Sequence, residues 1–473
     1  MKQNEIIGRE EEKAILNNVF SSKQSEFVAI YGRRRIGKTY LVRELLADKF
    51  SFEISGLANA NTKEQLLNFS LTLKKMTNES VETPKNWLEA FSQLSDYLGK
   101  CEQKRKVLFF DEMPWMDTPR SGFLTALEHF WNGWASARKD IILLVCGSAT
   151  SWIINNLINN HGGLHNRLTH TINLKPFTLS ECEQYCQWRK LDFSRYQIAQ
   201  IYMAMGGIPF YLSKIERGLS VAQNIDKLFF AQNPKLKNEF GNLYAALFRN
   251  SGDYVKIVEV LSKKGKGLTR EEVSKQTKIS NGGGLTRVLQ DLEYCDFIRK
   301  YHSFGKKTRN TLYQLTDSYT LFYFKFIRKN EHNDAHFWSN SIDTPLHNTW
   351  AGLAFEMLVL QHVQEIKNAL GISGIQSSVS TWRSETSEKA AQIDLVINRK
   401  DGVINVLEIK YSKEKFTITK EYEENLRNKI FAFKAETHAR NAVHLVMLTA
   451  FGLNRNKYTD IVQKELNLNC LFR

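Results

Sequence analysis

A glycine-rich segment near the amino terminus has the residue types and spacing that bind phosphate groups. Residues 32–39 read GRRRIGKT, a full match to the pattern G-x-x-x-x-G-K-[ST]. The apolar run Phe27–Tyr31 before it predicts a buried strand, and Tyr40–Leu46 after it predicts an amphipathic helix. A glycine turn that matches by accident is the alternative, but the flanking strand and helix favour a phosphate loop.

Each residue of this loop has a distinct task in phosphate chemistry. Gly32 and Gly37 let the backbone wrap so that N–H groups face the phosphates, and the helix amino terminus adds positive potential. Lys38 is expected to reach the β- and γ-phosphates of a nucleotide, and Thr39 to hold Mg²⁺ through its hydroxyl.

Two further strands end in polar residues that suit the same site. The run KVLFFDEMPWM contains Asp111, expected to bind the magnesium through its water shell, and Glu112, expected to polarise the attacking water. Adjacent acids after an apolar run could equally begin an ordinary loop. The run IILLVCGSAT ends in Ser148, placed to sense the γ-phosphate, with Thr150 as its rival, because strand carboxyl ends meet at the ligand crevice.

A second set of candidate residues lies near the carboxyl terminus, in QIDLVINRKDGVINVLEIKYSK, residues 392–413. Two apolar runs around a polar turn predict a hairpin, and period-two spacing puts Glu408 and Lys410 on one face of its second strand. Asp394 and Glu408 could bind a divalent metal across the hairpin, with Lys410 orienting a water or stabilising charge on phosphorus. The alternative is an amphipathic hairpin whose acid–lysine pair simply faces water.

Composition indicates a globular chain, and its charge points either to a polyanionic partner or to a solubility feature. The 473 residues carry a net charge of +15, and residues 251–330 hold sixteen Lys and Arg against eight Asp and Glu. The six cysteines are scattered, which predicts reduced thiols.

No apolar run approaches the ~20 residues needed to cross a bilayer, and the start MKQNEIIGREEEK lacks the apolar core of a secretion signal. We therefore expect a cytoplasmic protein without membrane contact.

The basic middle segment predicts three helices followed by two strands around a basic turn, the pattern of a winged helix-turn-helix. Its third helix, about Leu285–Cys295, would present Arg287 to base edges in the major groove of DNA. Lys306, Lys307 and Arg309 on the turn would contact phosphates. Protein docking or interdomain spacing is the alternative use of such a module.

The motifs of residues 1–250 together resemble an AAA+-type P-loop ATPase of the archaeal-ATPase group, close to the signal-transducing STAND branch. This resemblance implies ATP as the nucleotide and Mg²⁺ as its metal. IIGREEEKAIL resembles the segment that packs near the adenine, which assigns Gly8 and Arg9 to the nucleotide site. Tyr40, directly after Thr39, is also expected to bind the nucleotide. GGIPFYL resembles the motif of the helical lid and brings Pro209 to the base.

The same resemblance implies an arginine finger just before the last core strand, TINLKPF, where Arg167 stands in LHNRLTH. An arginine supplied by a neighbouring subunit would neutralise charge on the γ-phosphate and would imply a homo-oligomer. An intramolecular salt bridge is the equal alternative.

The D…ExK residues of the hairpin resemble the signature of PD-(D/E)xK nucleases, in which a preceding helix supplies another acid, here Glu356 in TWAGLAFEMLVLQHVQEI. That stretch, Thr349–Ile366, is expected to be one long helix. Ile393 stands before Asp394 where the signature has proline. The whole chain is similar to archaeal-type ATPases with a carboxyl-terminal DUF234 domain.

The expected fold class is α/β, with a P-loop parallel sheet, a helical lid, a winged helix and a restriction-endonuclease-like domain. We predict these as residues 1–175, 176–250, 251–330 and 331–473. The expected function is that of a Mg²⁺-dependent ATPase that binds DNA and could cleave it. Two alternatives stay open: a STAND-like signalling or scaffold switch with an inactive nuclease fold, and an ATP-dependent DNA-binding regulator.

Overall fold

The computed structural model describes residues 6–236, 238–248, 250–305, 311–384 and 391–473. The chain divides into two compact units, Met1–Pro176 and Phe177–Arg473, and each is described by itself. The further division of the chain into four domains remains a prediction.

A five-stranded sheet with the order β2-β3-β4-β1-β5 forms the centre of the first unit. All of its pairs are parallel. The middle strands are continuous apolar runs because helices cover both faces of such a sheet. The strands are β1 (Glu26–Tyr31), β2 (Phe50–Ser55), β3 (Lys106–Asp111), β4 (Ile141–Gly147) and β5 (His170–Asn173).

Helices and their connections complete the first unit: α1 (Glu10–Ser21), α2 (Lys38–Leu46), α3 (Thr62–Thr77), α4 (Trp87–Lys100), α5 (Phe123–Phe130) and α6 (Thr150–Ile153). Asn61 begins α3 with a capping box to Glu64, so two backbone N–H groups at its start are satisfied. A core rich in Phe and Trp packs between α3, α4, α5 and the sheet. The ends of β1, β3 and β4 in this sheet hold the predicted phosphate-site residues.

Five helices begin the second unit: α7 (Leu179–Trp188), α8 (Arg195–Met205), α9 (Pro209–Leu212), α10 (Val221–Phe229) and α11 (Glu239–Leu247). Capping boxes start three of them, at Thr178, Ser194 and Ser220. Between α8 and α9, a Cβ on Gly207 would lie 2.0 Å from the carbonyl oxygen of Phe177, so only glycine fits there.

The basic segment folds as three helices and a three-stranded sheet with the order β6-β8-β7. Its elements are α12 (Gly252–Ser262), β6 (Leu268–Thr269), α13 (Arg270–Thr277), α14 (Gly283–Tyr294), β7 (Ile298–His302) and β8 (Thr311–Leu315). Thr269 is the amino-terminal cap of α13, as predicted, and forms a capping box with Glu272. The third helix starts at Gly283, ahead of the predicted Leu285.

The next helices are α15 (Ser318–Lys325), α16 (Phe337–Ser341), α17 (Pro345–Gln361) and α18 (Val363–Leu370). The prediction of one helix over Thr349–Ile366 was wrong, because the chain breaks at His362. The His362 backbone has φ −116 and ψ 40, and its imidazole accepts a hydrogen bond from Leu179 N at 3.1 Å. A contact to a distant segment therefore divides a stretch that is helical by composition.

A second five-stranded sheet, with the order β15-β13-β11-β10-β9, ends the chain. Its elements, in chain order, are β9 (Ser377–Arg383), β10 (Gln392–Arg399), β11 (Val403–Lys410), β12 (Phe416–Thr417), α19 (Lys420–Thr437), β13 (Ala442–Thr449), β14 (Leu453–Asn454) and β15 (Lys464–Asn467). Strands β10 and β11 form the predicted antiparallel hairpin, with Leu395 opposite Leu407. Strand β13 runs parallel to β11, and β12 pairs separately with β14.

Within the described residues, none of the helices combines the length and the apolar character that crossing a bilayer requires.

Candidate functional site

The phosphate-loop lysine is held at the carboxyl end of β1. Lys38 opens α2, and its ammonium group donates to the carbonyl oxygens of Gly32 at 2.8 Å and Arg33 at 2.9 Å. The side chain is buried, so its charge is exposed to little water. A buried cation whose hydrogen bonds among the described residues go to carbonyl groups is prepared to meet an anion such as a phosphate.

Gly32 is required by its surroundings. Its φ of 138 is a backbone conformation open mainly to glycine, and a Cβ there would lie 2.3 Å from the carbonyl oxygen of Leu174. Leu174 N in turn donates to Tyr31 O at 2.8 Å, so this carbonyl is fixed by the end of the sheet. Gly37 also has positive φ, at 91, but no atom crowds it.

Thr39 and Asp111 meet at the ends of α2 and β3. The Thr39 hydroxyl lies 3.1 Å and 3.0 Å from the two carboxylate oxygens of Asp111. Both supply hard oxygen atoms, the ligand type that Mg²⁺ prefers, and a magnesium site commonly uses one or two carboxylates together with substrate phosphates. The donor set therefore fits a magnesium ion bound between this pair and a nucleotide.

Glu112 follows Asp111 in the left-handed conformation, with φ 46. Its Oε2 accepts hydrogen bonds from Ser148 N at 3.0 Å and from Ser148 Oγ at 2.9 Å. A Cβ on Gly56 would lie 2.6 Å from the Glu112 carbonyl oxygen, so the neighbouring strand end must be glycine. Active sites and ligand-binding sites are among the places where a non-glycine residue is held in this conformation.

The two candidates at the end of β4 differ in their contacts. Ser148 bonds Glu112, whereas Thr150 is fully buried and its hydroxyl lies 3.5 Å from the Ser148 carbonyl oxygen. Beneath them, burial raises the pKa of the Cys146 thiol well above its usual value. Nothing in the sequence indicated that Cys146 lies beside Asp111 or that Gly56 lies beside the backbone of Glu112.

The remaining predicted nucleotide residues differ in their surroundings. Gly8 and Arg9 both have positive φ, at 65 and 61, and Arg9 is buried with a guanidinium nitrogen 3.4 Å from Ile36 O. Tyr40 is 45% exposed. Arg167 is exposed ahead of β5, with Nε 3.5 Å from Gly163 O. Pro209 begins α9 in the second unit.

In the second unit, Glu408 is the centre of a buried charge cluster on β11. It is 2% exposed, which differs from a water-facing acid–lysine pair. Lys429 Nζ lies 2.9 Å and 2.8 Å from its two oxygens, Tyr422 OH donates to it at 2.7 Å, and Lys410 Nζ lies at 3.3 Å. Burial alone would raise the pKa of Glu408, but Lys429 and Lys410 outweigh it and hold the pKa below its usual value.

Two other acids share this cluster. Asp394 accepts from Ile409 N at 3.4 Å, and burial together with the charge of Glu408 raises its pKa to about 6. Burial and then the charge of Asp394 raise the pKa of Glu356 to about 8. The fold thus brings Glu356, Asp394, Glu408 and Lys410 within electrostatic range, as their candidate roles require.

The donor set of this cluster suits a divalent cation only in part. Carboxylate oxygens are suitable ligands. Nevertheless, Lys429 holds both oxygens of Glu408. Over the ranges that the structure describes, no three His, Cys, Asp or Glu side chains are grouped to hold a metal ion. The arrangement therefore fits a metal there only after Lys429 moves.

Sequence reasoning missed Tyr422 and Lys429. They lie seven residues apart on α19, and therefore on one face of that helix, which is a signal the sequence contained. Nothing in the sequence, however, indicated that this face packs on β11.

In the basic segment, the Arg287 side chain is 83% exposed on α14, and its Nε lies 3.9 Å from Asp291. The predicted phosphate contacts Lys306, Lys307 and Arg309 lie outside the described residues.

Comparison with known proteins supports an ATPase domain in the first part of the chain. Residues 6–215 match the ATPase_2 family, described as an ATPase domain predominantly from Archaea. An uncharacterized protein, MJECL04 of Methanocaldococcus jannaschii, is 23% identical over 414 residues, which cover 86% of this chain and 87% of the relative. The family match supports an archaeal-type P-loop ATPase.

Solved structures of similar shape include two archaeal proteins. The Walker-type ATPase PABY2304 of Pyrococcus abyssi is 18% identical, with 68% of this chain and 96% of the other covered at a TM-score of 0.47. The ORC2 protein of Aeropyrum pernix, in ADPNP–ADP complexes, is 14% identical, with 68% and 94% covered at a TM-score of 0.40. At these TM-scores the similarity supports no conclusion about function.

Proposed function

We propose that the protein is a Mg²⁺-dependent ATPase whose nucleotide state controls nucleic-acid binding by residues 251–330. One observation carries the ATPase part: the loop lysine, the Thr39–Asp111 pair and the Glu112–Ser148 pair lie at the adjoining ends of β1, β3 and β4. The match of residues 6–215 to an ATPase family supports the same conclusion.

In this mechanism Lys38 binds the β- and γ-phosphates, and Thr39 and Asp111 hold the magnesium ion, which neutralises phosphate charge when bound. Glu112 orients and polarises the attacking water. Because Ser148 holds Glu112 through two hydrogen bonds, it also sets the direction of that carboxylate.

The test replaces Glu112 by glutamine. Glu112→Gln keeps the size and the Ser148 contacts but removes the negative charge, so ATP affinity should change less than about threefold while turnover falls about 100-fold or more. Glu79→Gln, at an exposed position of the same unit, is the matched control and should retain full turnover. Undiminished hydrolysis in Glu112→Gln would remove Glu112 from its assigned role.

Arg167 has two proposed roles in this reaction. As an arginine finger it would act on the nucleotide of a neighbouring copy. Arg167→Ala would then lower turnover, and mixed oligomers in which some subunits keep Arg167 would regain activity. As an intramolecular contact it would affect stability instead, with turnover per folded molecule unchanged.

Nucleic-acid binding by residues 251–330 is supported by the charge of this segment, which holds sixteen basic and eight acidic residues. Its three helices followed by the β7–β8 pair are the order expected of a winged helix. Because Arg287 is largely exposed, it is available to a base edge. Steep salt dependence of binding would support the proposal, and no binding at low salt would refute it.

Metal-dependent phosphodiester cleavage is a second candidate function. It is favoured by the mutual interaction of Asp394, Glu356, Glu408 and Lys410. The hydrogen bonds of Lys429 to both Glu408 oxygens favour instead an inactive nuclease fold in a DNA-binding regulator or a STAND-like switch.

A plasmid-cleavage assay with Mg²⁺ or Mn²⁺, with and without ATP, separates these possibilities. Cleavage that Asp394→Ala abolishes while ATPase turnover persists supports a nuclease. Absence of cleavage under all conditions identifies the cluster as a structural element, and nucleotide-dependent oligomer size would then favour the switch.

A further inference from the structure

A basic groove lies between the three-helix segment and the carboxyl-terminal sheet of the second unit. Its volume is about 870 Å³, and its walls include Lys263, Lys264, Lys266, Tyr301, Arg383 and Gln392. The chain just after β7 joins β9 of the carboxyl-terminal sheet here. Ser303 forms a parallel bridge with Thr381, and Phe304 N donates to Thr381 O at 2.8 Å. The groove is therefore built by two segments that are distant in sequence.

The lysine turn that forms one wall, residues 263–267 (KKGKG), is held in place from several sides. Gln314 Nε2 donates to Gly265 O at 2.5 Å, and Tyr301 OH donates to Lys266 O at 2.5 Å. Gly267 N closes the turn onto Lys264 O at 2.9 Å. Since its carbonyl groups are fixed, the turn presents its ammonium groups with little loss of backbone entropy on binding.

Glycine is required at Gly267 of this turn. Gly267 has φ +75, and a Cβ there would lie 2.6 Å from Tyr313 O. This close approach holds the backbone of the turn against β8.

The charges of the groove are available to a ligand. Lys264, Lys266 and Arg383 are exposed, and no carboxylate of the described ranges lies within ion-pair distance of them. Lys263 has an exposed contact with Glu259 at 3.1 Å, which contributes little. The acid on the wall, Glu272, already accepts from Thr269 N at 2.7 Å as part of the α13 cap.

The groove leads to the charge cluster of the hairpin. Gln392, on its wall, donates to Asp394 at 3.5 Å. On the other side of the groove, Gly265 lies close to Leu353, since a Cβ built on Gly265 would be 2.4 Å from that side chain. Leu353 lies one turn before Glu356 on α17. Lys266 is close enough to act on the ionisation of Glu356.

We infer that this groove binds the phosphodiester backbone of a single nucleic-acid strand and directs it to the cluster of Asp394, Glu408 and Lys410. The inference rests on the proposed nucleic-acid function and assigns its main contact to the Lys263–Gly267 turn, not to Arg287. A groove of this volume is in the range that encloses a drug-sized ligand, and so takes a few linked nucleotides of one strand. Fixed ammonium groups along such a groove are the means by which proteins follow a single strand.

Fluorescence anisotropy on the full chain tests the inference, with labelled oligothymidylate and oligouridylate of about 12 nucleotides and a duplex of equal length as probes. Lys264→Ala/Lys266→Ala removes two phosphate contacts, so the slope of log K against log salt should become shallower by about 1.4. That change corresponds to a loss of about 20-fold in affinity near 0.1 M salt.

Lys256→Ala/Lys329→Ala removes the same charge from exposed positions outside the groove and is the matched control. A loss confined to the groove variant, on either single-stranded probe, supports the inference, and the two probes tell DNA from RNA. Equal losses in the two variants, a preference of the wild type for the duplex, or a larger loss in Arg287→Ala would overturn it. If the wild type binds no probe at low salt, the proposed nucleic-acid function fails as well. Calorimetry on each variant verifies that the second unit is folded.

Discussion

Replacing Lys429 by methionine tests the charge balance of the buried hairpin cluster. Its ammonium group lies 2.8 Å and 2.9 Å from the two oxygens of Glu408, which is 2% exposed. Methionine keeps the length and apolar stem of lysine but removes the charge. Burial would then oppose the charge of Glu408 more strongly, with Lys410 Nζ at 3.3 Å and Tyr422 OH at 2.7 Å as its remaining contacts.

The size of the effect follows from this geometry. Removing one partner of a fully buried ion pair costs about 3–5 kcal/mol. Because the Lys429 side chain is 18% exposed and Lys410 with Tyr422 still contact Glu408, we expect a loss of about 2–3 kcal/mol. The unit Phe177–Arg473 has an unfolding entropy of about 0.6 kcal/mol/K, so that loss lowers the midpoint of thermal unfolding by roughly 3–5 °C.

Differential scanning calorimetry in EDTA measures the change, and three further variants make it specific: Lys434→Met, Glu408→Gln and the double variant. Lys434→Met, at an exposed position of the same helix, should alter stability by less than about 0.5 kcal/mol. The double variant Lys429→Met/Glu408→Gln leaves neither charge unpaired and should recover at least about 1 kcal/mol of the summed single losses. Additive losses, within about 0.5 kcal/mol, would refute a direct ion pair.

A divalent cation extends the experiment. If Asp394 and Glu408 form a metal site, Mn²⁺ can take the place of the missing ammonium group and should raise the unfolding midpoint of Lys429→Met more than that of the wild type. An equal response of the two proteins would contradict a metal site at these carboxylates.

Two other predictions concern the first unit. Gly32→Ala puts a Cβ 2.3 Å from the fixed Leu174 carbonyl at φ +138, so ATP affinity measured by calorimetry should fall at least about 100-fold. Gly99→Ala is the control: no atom lies within 4 Å of a Cβ at that position, so ATP affinity should stay unchanged. The hydrogen bond of Arg138 lowers the pKa of Asp140 from 3.8 to about 2, so this carboxylate stabilises the fold above pH 3.8 and that stability is lost as the pH falls toward 2. Discounted for solvent, the contribution is about 1–2 kcal/mol, and urea unfolding of Asp140→Asn should show a correspondingly flatter pH dependence. An unchanged pH slope would contradict this assignment.

Local signals predicted the parts of the fold that depend on short stretches of chain. The strand, turn and helix around the phosphate loop, the cap at Thr269 and the hairpin of β10 and β11 are all present. Each rests on spacing over fewer than about twenty residues, where backbone preference and hydrophobic period act together. The roles assigned to the site residues stay predictions.

Tertiary packing, and not local sequence, determined where the longer helical segment ends. The helix predicted over Thr349–Ile366 ends at Gln361, because His362 turns its imidazole to the backbone of Leu179. Composition favoured a continuous helix, and a contact between residues 183 positions apart in the chain prevented it. Local propensity amounts to tenths of a kcal/mol per residue, so a single buried polar contact can override it.

The sequence by itself determined which residues are candidates for phosphate chemistry. They are Lys38 and Thr39 of the loop, Asp111 and Glu112 at the end of β3, and Asp394, Glu408 and Lys410 of the hairpin. Only the tertiary structure decided what surrounds them. It set Ser148 against Glu112, buried Glu408 beneath Lys429 and Tyr422, and joined the lysine turn to Arg383 across a groove. The physical reason is that charge interactions depend on distance and burial, and both arise from packing between helices and strands that are far apart in the sequence.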